Sequence, residues 1–166
     1  MTGFPMLRKQ RQMNVKDAET FLEKSKVGRL AMCHNNEPYV IPMLYYYDQK
    51  SDEIFLHSAK KGRKIEAIFS NSSVCFEVDE MNDVVSADVP CEFDLLYRSV
   101  IVTGKALLID DPEMKAKALN LIFEKYASVN SKMNIDADMA KGTQIIQIRV
   151  SNIVGKEAKG ATIPYP

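Results

Sequence analysis

The stretch Val27-Gly28-Arg29-Leu30-Ala31-Met32-Cys33-His34-Asn35-Asn36, followed by Glu37-Pro38-Tyr39-Val40-Ile41-Pro42-Met43-Leu44-Tyr45-Tyr46-Tyr47, decides the fold. Leu30 and Met32 fall on one face of a β-rich run, and Asn35 with Asn36 supplies residues that tolerate a tight turn. Tyr39 to Tyr47 is a second β-rich run, so the two predict a hairpin. Polar Asp48 to Asp52 makes the next turn, and Ile54, Phe55 and Leu56 form a short strand reaching His57. A second hairpin follows directly from the first.

Upstream, Ala18, Phe21 and Leu22 recur at helical spacing between charges from Val15 to Lys26, with Asn14 placed to cap the first turn. Downstream, Ile65, Ile68 and Phe69 predict one side of a short helix over Gly62 to Asn71. Val74, Phe76 and Val78 then alternate with Cys75, Glu77 and Asp79 as a strand. Glu80 to Asp94 is acidic, holds Pro90 and has no period, which predicts a long loop. Tyr97 to Ile109 reads as a long strand broken by Gly104, Pro112 opens a helix with Ala116, Leu119, Ile122 and Phe123 on one face, and Gln144 to Val154 is a last strand. Six strands joined mostly by short turns, with a few flanking helices, predict a mainly β (α+β) fold built as an antiparallel barrel or sheet. No GxGxxG or Walker loop points to an alternating βαβ architecture.

A chain of 166 residues fits one domain, 1–166, with residues 1–13 expected as a mobile N-terminal arm. Hydrophobic residues make up 46% and charged residues 27%, and 22 basic residues balance 22 acidic ones. No global field therefore draws nucleic acid or an anionic membrane, and any anion site must be local. Arg8, Lys9 and Arg11 are followed by polar Asn14 and charged Lys16 and Asp17 instead of an apolar signal core, and no run approaches a membrane span. Cys33, Cys75 and Cys91 form no CxxC, which suggests neither a disulfide framework nor a zinc knuckle. These features lead us to expect a cytoplasmic protein with reduced, metal-free cysteines.

The chemistry concentrates in Phe55-Leu56-His57-Ser58-Ala59-Lys60-Lys61-Gly62-Arg63-Lys64, where a strand ends and a helix begins. Cations in the first turn of a helix oppose its partial positive charge by a few tenths of a kcal/mol each, roughly. A bound anion removes that conflict. Ser58 can hydrogen-bond, Gly62 lets a ligand approach the backbone, and the planar fork of Arg63 can grip a phosphate. A run of basic side chains is as often merely solvated, but this one is held between two packed elements.

His57-Ser58-Ala59 through Arg63-Lys64-Ile65, and then Cys75-Phe76-Glu77-Val78-Asp79, resemble the flavin-binding core of the pyridoxamine 5'-phosphate oxidase-like split barrels. Val27-Gly28-Arg29-Leu30-Ala31, Pro38-Tyr39-Val40-Ile41-Pro42, and Arg98-Ser99-Val100 with Gly104-Lys105-Ala106 are similar to the nitroimidazole-resistance branch, in its order. The resemblance implies a six-stranded split barrel, a homodimer, and FMN in grooves between subunits. It implies that Arg63 and Lys64 hold the phosphate with help from Ser58 and Lys61, and that Val40, Ile41, Pro42, Met43 and Leu44 run along the flavin ring. Ser99 joins these cofactor-binding positions, and His57 stands next to the flavin as the candidate catalytic residue.

Other uses compete. Val40 to Leu44 can be ordinary strand core, Tyr45 and Tyr46 can pack across strands instead of stacking on flavin, and a lone histidine such as His57 is commonly a packing residue. His34 neighbours Cys33, but adjacent strand residues face opposite ways and do not readily share a metal. The final Gly155 to Pro166 lacks the family's Arg-x-His type of ending, a departure from vitamin B6 oxidation. The resemblance thus implies an FMN-dependent oxidoreductase acting on a small molecule, a nitroaromatic being the nearest class, with electrons from a nicotinamide cofactor or another reductant. A non-catalytic flavin- or haem-binding protein of the same fold is the alternative, and a deazaflavin enzyme a third.

Overall fold

The computed structural model describes residues 6–86, 88, 94–127 and 133–158. Its strands are β1 (Gly28–His34), β2 (Glu37–Met43), β3 (Tyr45–Asp48), β4 (Glu53–Ser58), β5 (Ser73–Val85), β6 (Asp94–Ile109) and β7 (Gln144–Glu157). The helices are α1 (Val15–Lys24), α2 (Arg63–Ser70), α3 (Pro112–Tyr126) and α4 (Ala137–Ala140). The strands form one antiparallel sheet in the order β2-β1-β5-β6-β7-β4-β3.

Seven strands replace the expected six because the run Tyr39 to Tyr47 is interrupted at Leu44. β2 and β3 sit at opposite ends of the strand order, yet only Leu44 separates them in the chain. A single residue spans a few ångströms at most. The sheet must therefore curl until its two ends meet at Leu44, which makes it a barrel left unpaired along that seam.

The turns follow the residues that permit them. Asn35 and Asn36 have φ of 51° and 63° between β1 and β2, and Asp52 has φ of 53° between β3 and β4. Asn14 caps α1 by accepting from the Asp17 N–H at 2.9 Å, and Asp111 caps α3, with Pro112 in the first turn. Gly104 marks a register shift opposite β7, where an added Cβ would lie 2.3 Å from the Arg149 carbonyl oxygen.

Leu30, Tyr45, Ile54, Leu56, Phe76, Val78, Val100, Val102, Ile146 and Ile148 fill the barrel, and Ala18, Phe21 and Leu22 of α1 join the same cluster. Tyr45 meets Phe76 edge-on with centroids 4.8 Å apart, and its phenol donates to the Leu22 carbonyl. On α2, Ala67 and Ile68 are buried and Ile65 partly so, but Phe69, expected on the same side, is 88% exposed. The small Ala67 centres the contact face on one side of Ile68, which turns Phe69 outward. The acidic stretch read as a loop from Glu80 is instead strand as far as Val85, because β5 and β6 continue pairing beyond the barrel from Asp79 and Ser99 to Val85 and Asp94.

The described part of the segment expected as an arm is anchored at its end: Met13 is buried, Gln12 bridges Lys156, and Arg11 pairs with Asp94. Residues 1–5, 87, 89–93, which include Cys91, 128–132 and those beyond 158 lie outside the described residues. Among the described residues no helix is long and apolar enough to cross a membrane.

Candidate functional site

Strand β4 ends at Ser58 and α2 starts at Arg63, so the run Ala59 to Gly62 is held by elements fixed on both sides. Gly62 occupies the N-cap position with φ of 116°, a conformation that favours glycine, and nothing lies within 4 Å of where its Cβ would be. The Gly62 carbonyl accepts from Ile65 at 2.9 Å, and no side chain caps this helix. Its first N–H groups therefore face outward beside Arg63 and Lys64.

Arg63 is exposed but not adrift. Its guanidinium carbon lies 4.6 Å over the Tyr39 ring, and its Nη2 is 3.3 Å from the Glu37 carboxylate. Lys64 is half-buried, and burial lowers its ammonium pKa, so a neighbouring anion would offset that desolvation. Lys61 is exposed, whereas Ser58 is 7% exposed and donates its hydroxyl to the Ala59 carbonyl at 2.9 Å. Ser58 thus shapes the turn in this state more than it faces outward.

From Tyr39, beside Arg63, β2 runs to its end next to Leu44. Ile41 packs against the core and Met43 is buried, while Val40, Pro42 and Leu44 turn outward, with Val40 60% exposed. Strand core accounts for Ile41 and Met43 and not for the other three. β2 is a terminal strand, so one edge offers unpaired backbone groups, and Pro42 suits such an edge because it has no N–H to pair.

Leu44 also borders a hollow of about 350 Å³ with His57 and, from α3 and beyond, Leu119, Ile122, Phe123, Tyr126, Ala127 and Ile135. His57 is exposed at its rim. The cradle at Arg63, stacked on Tyr39, and the hollow at His57, bordered by Leu44, therefore lie toward opposite ends of β2, about 17 Å apart over five residues at the usual strand rise, with Tyr39 on the face opposite to Val40, Pro42 and Leu44. Tyr45 and Tyr47 are buried in the core, and Tyr46 is half-buried away from the hollow.

Ser99 is not brought to the cradle within one chain. It pairs with Asp79, whereas Tyr39 under Arg63 pairs with Met32, next to the Ala31–Cys75 pair, so about five residues, or about 17 Å, along the strands and three strands across separate the two. His34 and Cys33 point to opposite faces, and no group of three metal-ligating side chains occurs among the described residues. Sequence reasoning missed Glu37 and Tyr39 as partners of Arg63, since a hairpin must close before they meet. It read the hollow's walls in α3 as core alone.

The sequence pattern of the family described as pyridoxamine 5'-phosphate oxidase matches residues 14–157. No curated protein matches the chain by sequence. Among solved structures, the chain is similar to a candidate 5-nitroimidazole antibiotic resistance protein from Bacteroides thetaiotaomicron. That match has a TM-score of 0.76 and 23% identity and covers 87% of this chain and 85% of that one. It is also similar to the flavocytochrome Anf3 from Azotobacter vinelandii, with TM-score 0.81, 18% identity and coverage of 97% and 75%. An FAD and heme binding protein from Mycobacterium smegmatis matches with TM-score 0.79, 16% identity and coverage of 93% and 77%. At such identities these three share the fold.

Proposed function

Because the chain belongs to the pyridoxamine 5'-phosphate oxidase family, we infer that it is an FMN-binding oxidoreductase working as a homodimer, with Arg63 and Lys64 anchoring the cofactor phosphate. The observation that carries this reading is the cationic cradle at Arg63 together with the apolar hollow at His57, set toward opposite ends of β2. The donor set suits a phosphate monoester: an uncapped helix start, a guanidinium preset by Tyr39, and a half-buried ammonium.

Bound FMN would supply reversible hydride transfer; the protein supplies position and a dry wall. Val40, Pro42 and Leu44 give a flat apolar surface, and the free edge of β2 gives backbone donors and acceptors. His57 stands where its ring can hydrogen-bond a polar substituent of a substrate in the hollow, or hold a proton beside it. The hollow's Leu, Ile and Phe walls suit a small flat apolar ring, in keeping with nitroaromatic reduction, with electrons arriving from a nicotinamide cofactor in a separate step.

The outer sheet face supports a dimer. Val40 lies beside Ala31 and Ala31 beside Cys75, a small and apolar patch, and next to it Arg29 pairs with Glu77 and Asp79 beside the 46% exposed Ile101, a mixed surface that a second subunit would cover.

The test is the absorbance spectrum of the purified protein, followed by extraction and mass measurement of the released group. A flavin spectrum and the mass of FMN are the expected result. A Soret band would favour the second reading, a haem- or flavin-binding protein without turnover, to which the two relatives described as a flavocytochrome and as FAD- and heme-binding lend support. Colourless protein that binds no added FMN would overturn both.

A further inference from the structure

A groove of about 970 Å³ shares no lining residue with the cradle or the hollow. It opens between the end of α1, the start of β1, β3, the far part of β5 and the last turn of α3, and Lys125 forms part of its wall. The Lys125 ammonium is turned inward, 3.6 Å from the centre of the Tyr45 ring and 5.6 Å from that of Tyr126. None of its N–H groups finds a hydrogen-bond acceptor among the described residues. The Tyr45 phenol is already committed to the Leu22 carbonyl, and that of Tyr126 to Lys26 and Tyr45.

A buried polar group without a partner requires an explanation. Cation–π contact with two tyrosines recovers part of the lost hydration, but burial still pulls the Lys125 pKa down to about 8, against an opposing pull from Glu23. At pH 7.5 roughly a quarter of such a lysine is free amine, against on the order of 0.1% for an ordinary one. Desolvation of this kind turns a lysine into a nucleophile.

The walls decide the ligand. Four carboxylates, Glu23, Asp79, Glu80 and Glu124, line the groove beside four cations that include Lys125. Arg29 among those cations is already held by Glu77 and Asp79. No net positive field is left for a carboxylate or phosphate, whereas the half-buried Tyr46, alongside buried Phe21 and Tyr47, suits a neutral flat ring. We propose that Lys125 is the nucleophilic amine of a second site, which captures small neutral aromatic aldehydes as a Schiff base.

In that step the Nζ lone pair attacks the carbonyl carbon. The C–N bond forms as the C=O π pair moves to oxygen, which takes up a proton. The carbinolamine then loses its hydroxyl group, so the two amine protons leave with the carbonyl oxygen as water and a C=N bond remains. Nothing is oxidised or reduced. Glu23 and Glu124, on the groove wall, can relay the protons. Rotation of the flexible lysine stem would turn the amine from the Tyr45 ring toward the groove, whose wall includes Lys125.

The test treats the protein at pH 7.5 with limiting benzaldehyde and sodium cyanoborohydride, which reduces an imine to a stable benzylamine, and locates the label by peptide mass mapping. Lys125 should be labelled at least tenfold faster than any other lysine, with a pH midpoint near 8. Lys125→Arg should lose that fast site while its circular dichroism is unchanged. Label spread over exposed lysines, with Lys125 no faster than they are, would overturn the proposal even if the variant fails to fold.

Discussion

Tyr39 and Arg63, on different elements and 24 positions apart in sequence, are stacked with the guanidinium carbon 4.6 Å above the ring centre. The stack leaves the fork free to pair in its own plane, and Glu37 takes that place at 3.3 Å in this state. Tyr39 positions the cation, and Glu37 occupies it.

A phosphate arriving at Arg63 must displace Glu37. The pair is exposed on both sides, and such pairs contribute about 0–1 kcal/mol. Glu37→Gln should therefore tighten FMN binding a few-fold and leave riboflavin binding unchanged. Isothermal titration of both ligands checks this, and weaker FMN binding by the variant would show that Glu37 helps to build the site instead of competing for it.

Replacing both Arg63 and Lys64 by alanine should remove two charge-assisted contacts, each worth roughly 1.5–3 kcal/mol. FMN affinity should fall on the order of a hundredfold or more, with a much smaller loss for riboflavin, which has no phosphate. The apo protein should melt no lower, because two cations leave an uncapped helix start where they were unfavourable. Equal weakening of both ligands would defeat the assignment.

Tyr126 ties three segments through one hydroxyl: it accepts from the Tyr45 N–H at 3.1 Å and lies 2.7 Å from the Lys26 carbonyl and 3.0 Å from that of Tyr45. Tyr126→Phe should lower stability by about 1–3 kcal/mol, because partners in a part-buried place lose theirs. Urea unfolding measures this directly.

How far this fold was legible depended on whether a signal was local. Asn35-Asn36 between two β-rich runs announced the first hairpin, and the Asn14 and Asp111 caps and Pro112 marked helix starts, because each acts within a few residues. The break at Leu44 was not visible: Tyr39 to Tyr47 has β-forming residues throughout, and only barrel closure forces the chain to leave one sheet end for the other. The same applies to the site. Cations at a helix start can be read from Lys60 to Lys64, whereas Glu37 and Tyr39 become partners of Arg63 only through tertiary packing. Phe69 was misplaced because helical spacing gives a face and not its centre.

Gly28 supplies a steric prediction. An added Cβ there would lie 2.0 Å from the tip of the Phe76 ring, which is buried and braced edge-on against Tyr45. The ring cannot retreat without disturbing that pair, so Gly28→Ala should destabilise the barrel by at least about 1–3 kcal/mol, the usual range for overpacking. An unchanged melting temperature would mean that the core gives more readily than the contact implies.

Lys125 gives the pH dependence. Its folded pKa is about 8 because of burial, against roughly 10.4 in an unfolded chain. Between these values the unfolded state binds a proton that the folded state does not, so the residue's contribution to stability rises with pH from about 8 to about 10. Well below pH 8 both states are charged, and the contribution is a constant penalty, softened by cation–π contact with Tyr45 and by solvent reaching a part-exposed side chain. Tyr45 and Tyr126, whose pKa values are raised by burial, act in the opposite direction above pH 10, but both remain in a Lys125→Met variant. The informative quantity is therefore the stability of the wild type minus that of Lys125→Met, taken from urea unfolding at pH 7, 8, 9 and 9.5. It should rise little between pH 7 and 8 and climb in favour of the wild type above 8. A difference that stays level up to pH 9.5 would mean that Lys125 titrates as a solvated lysine.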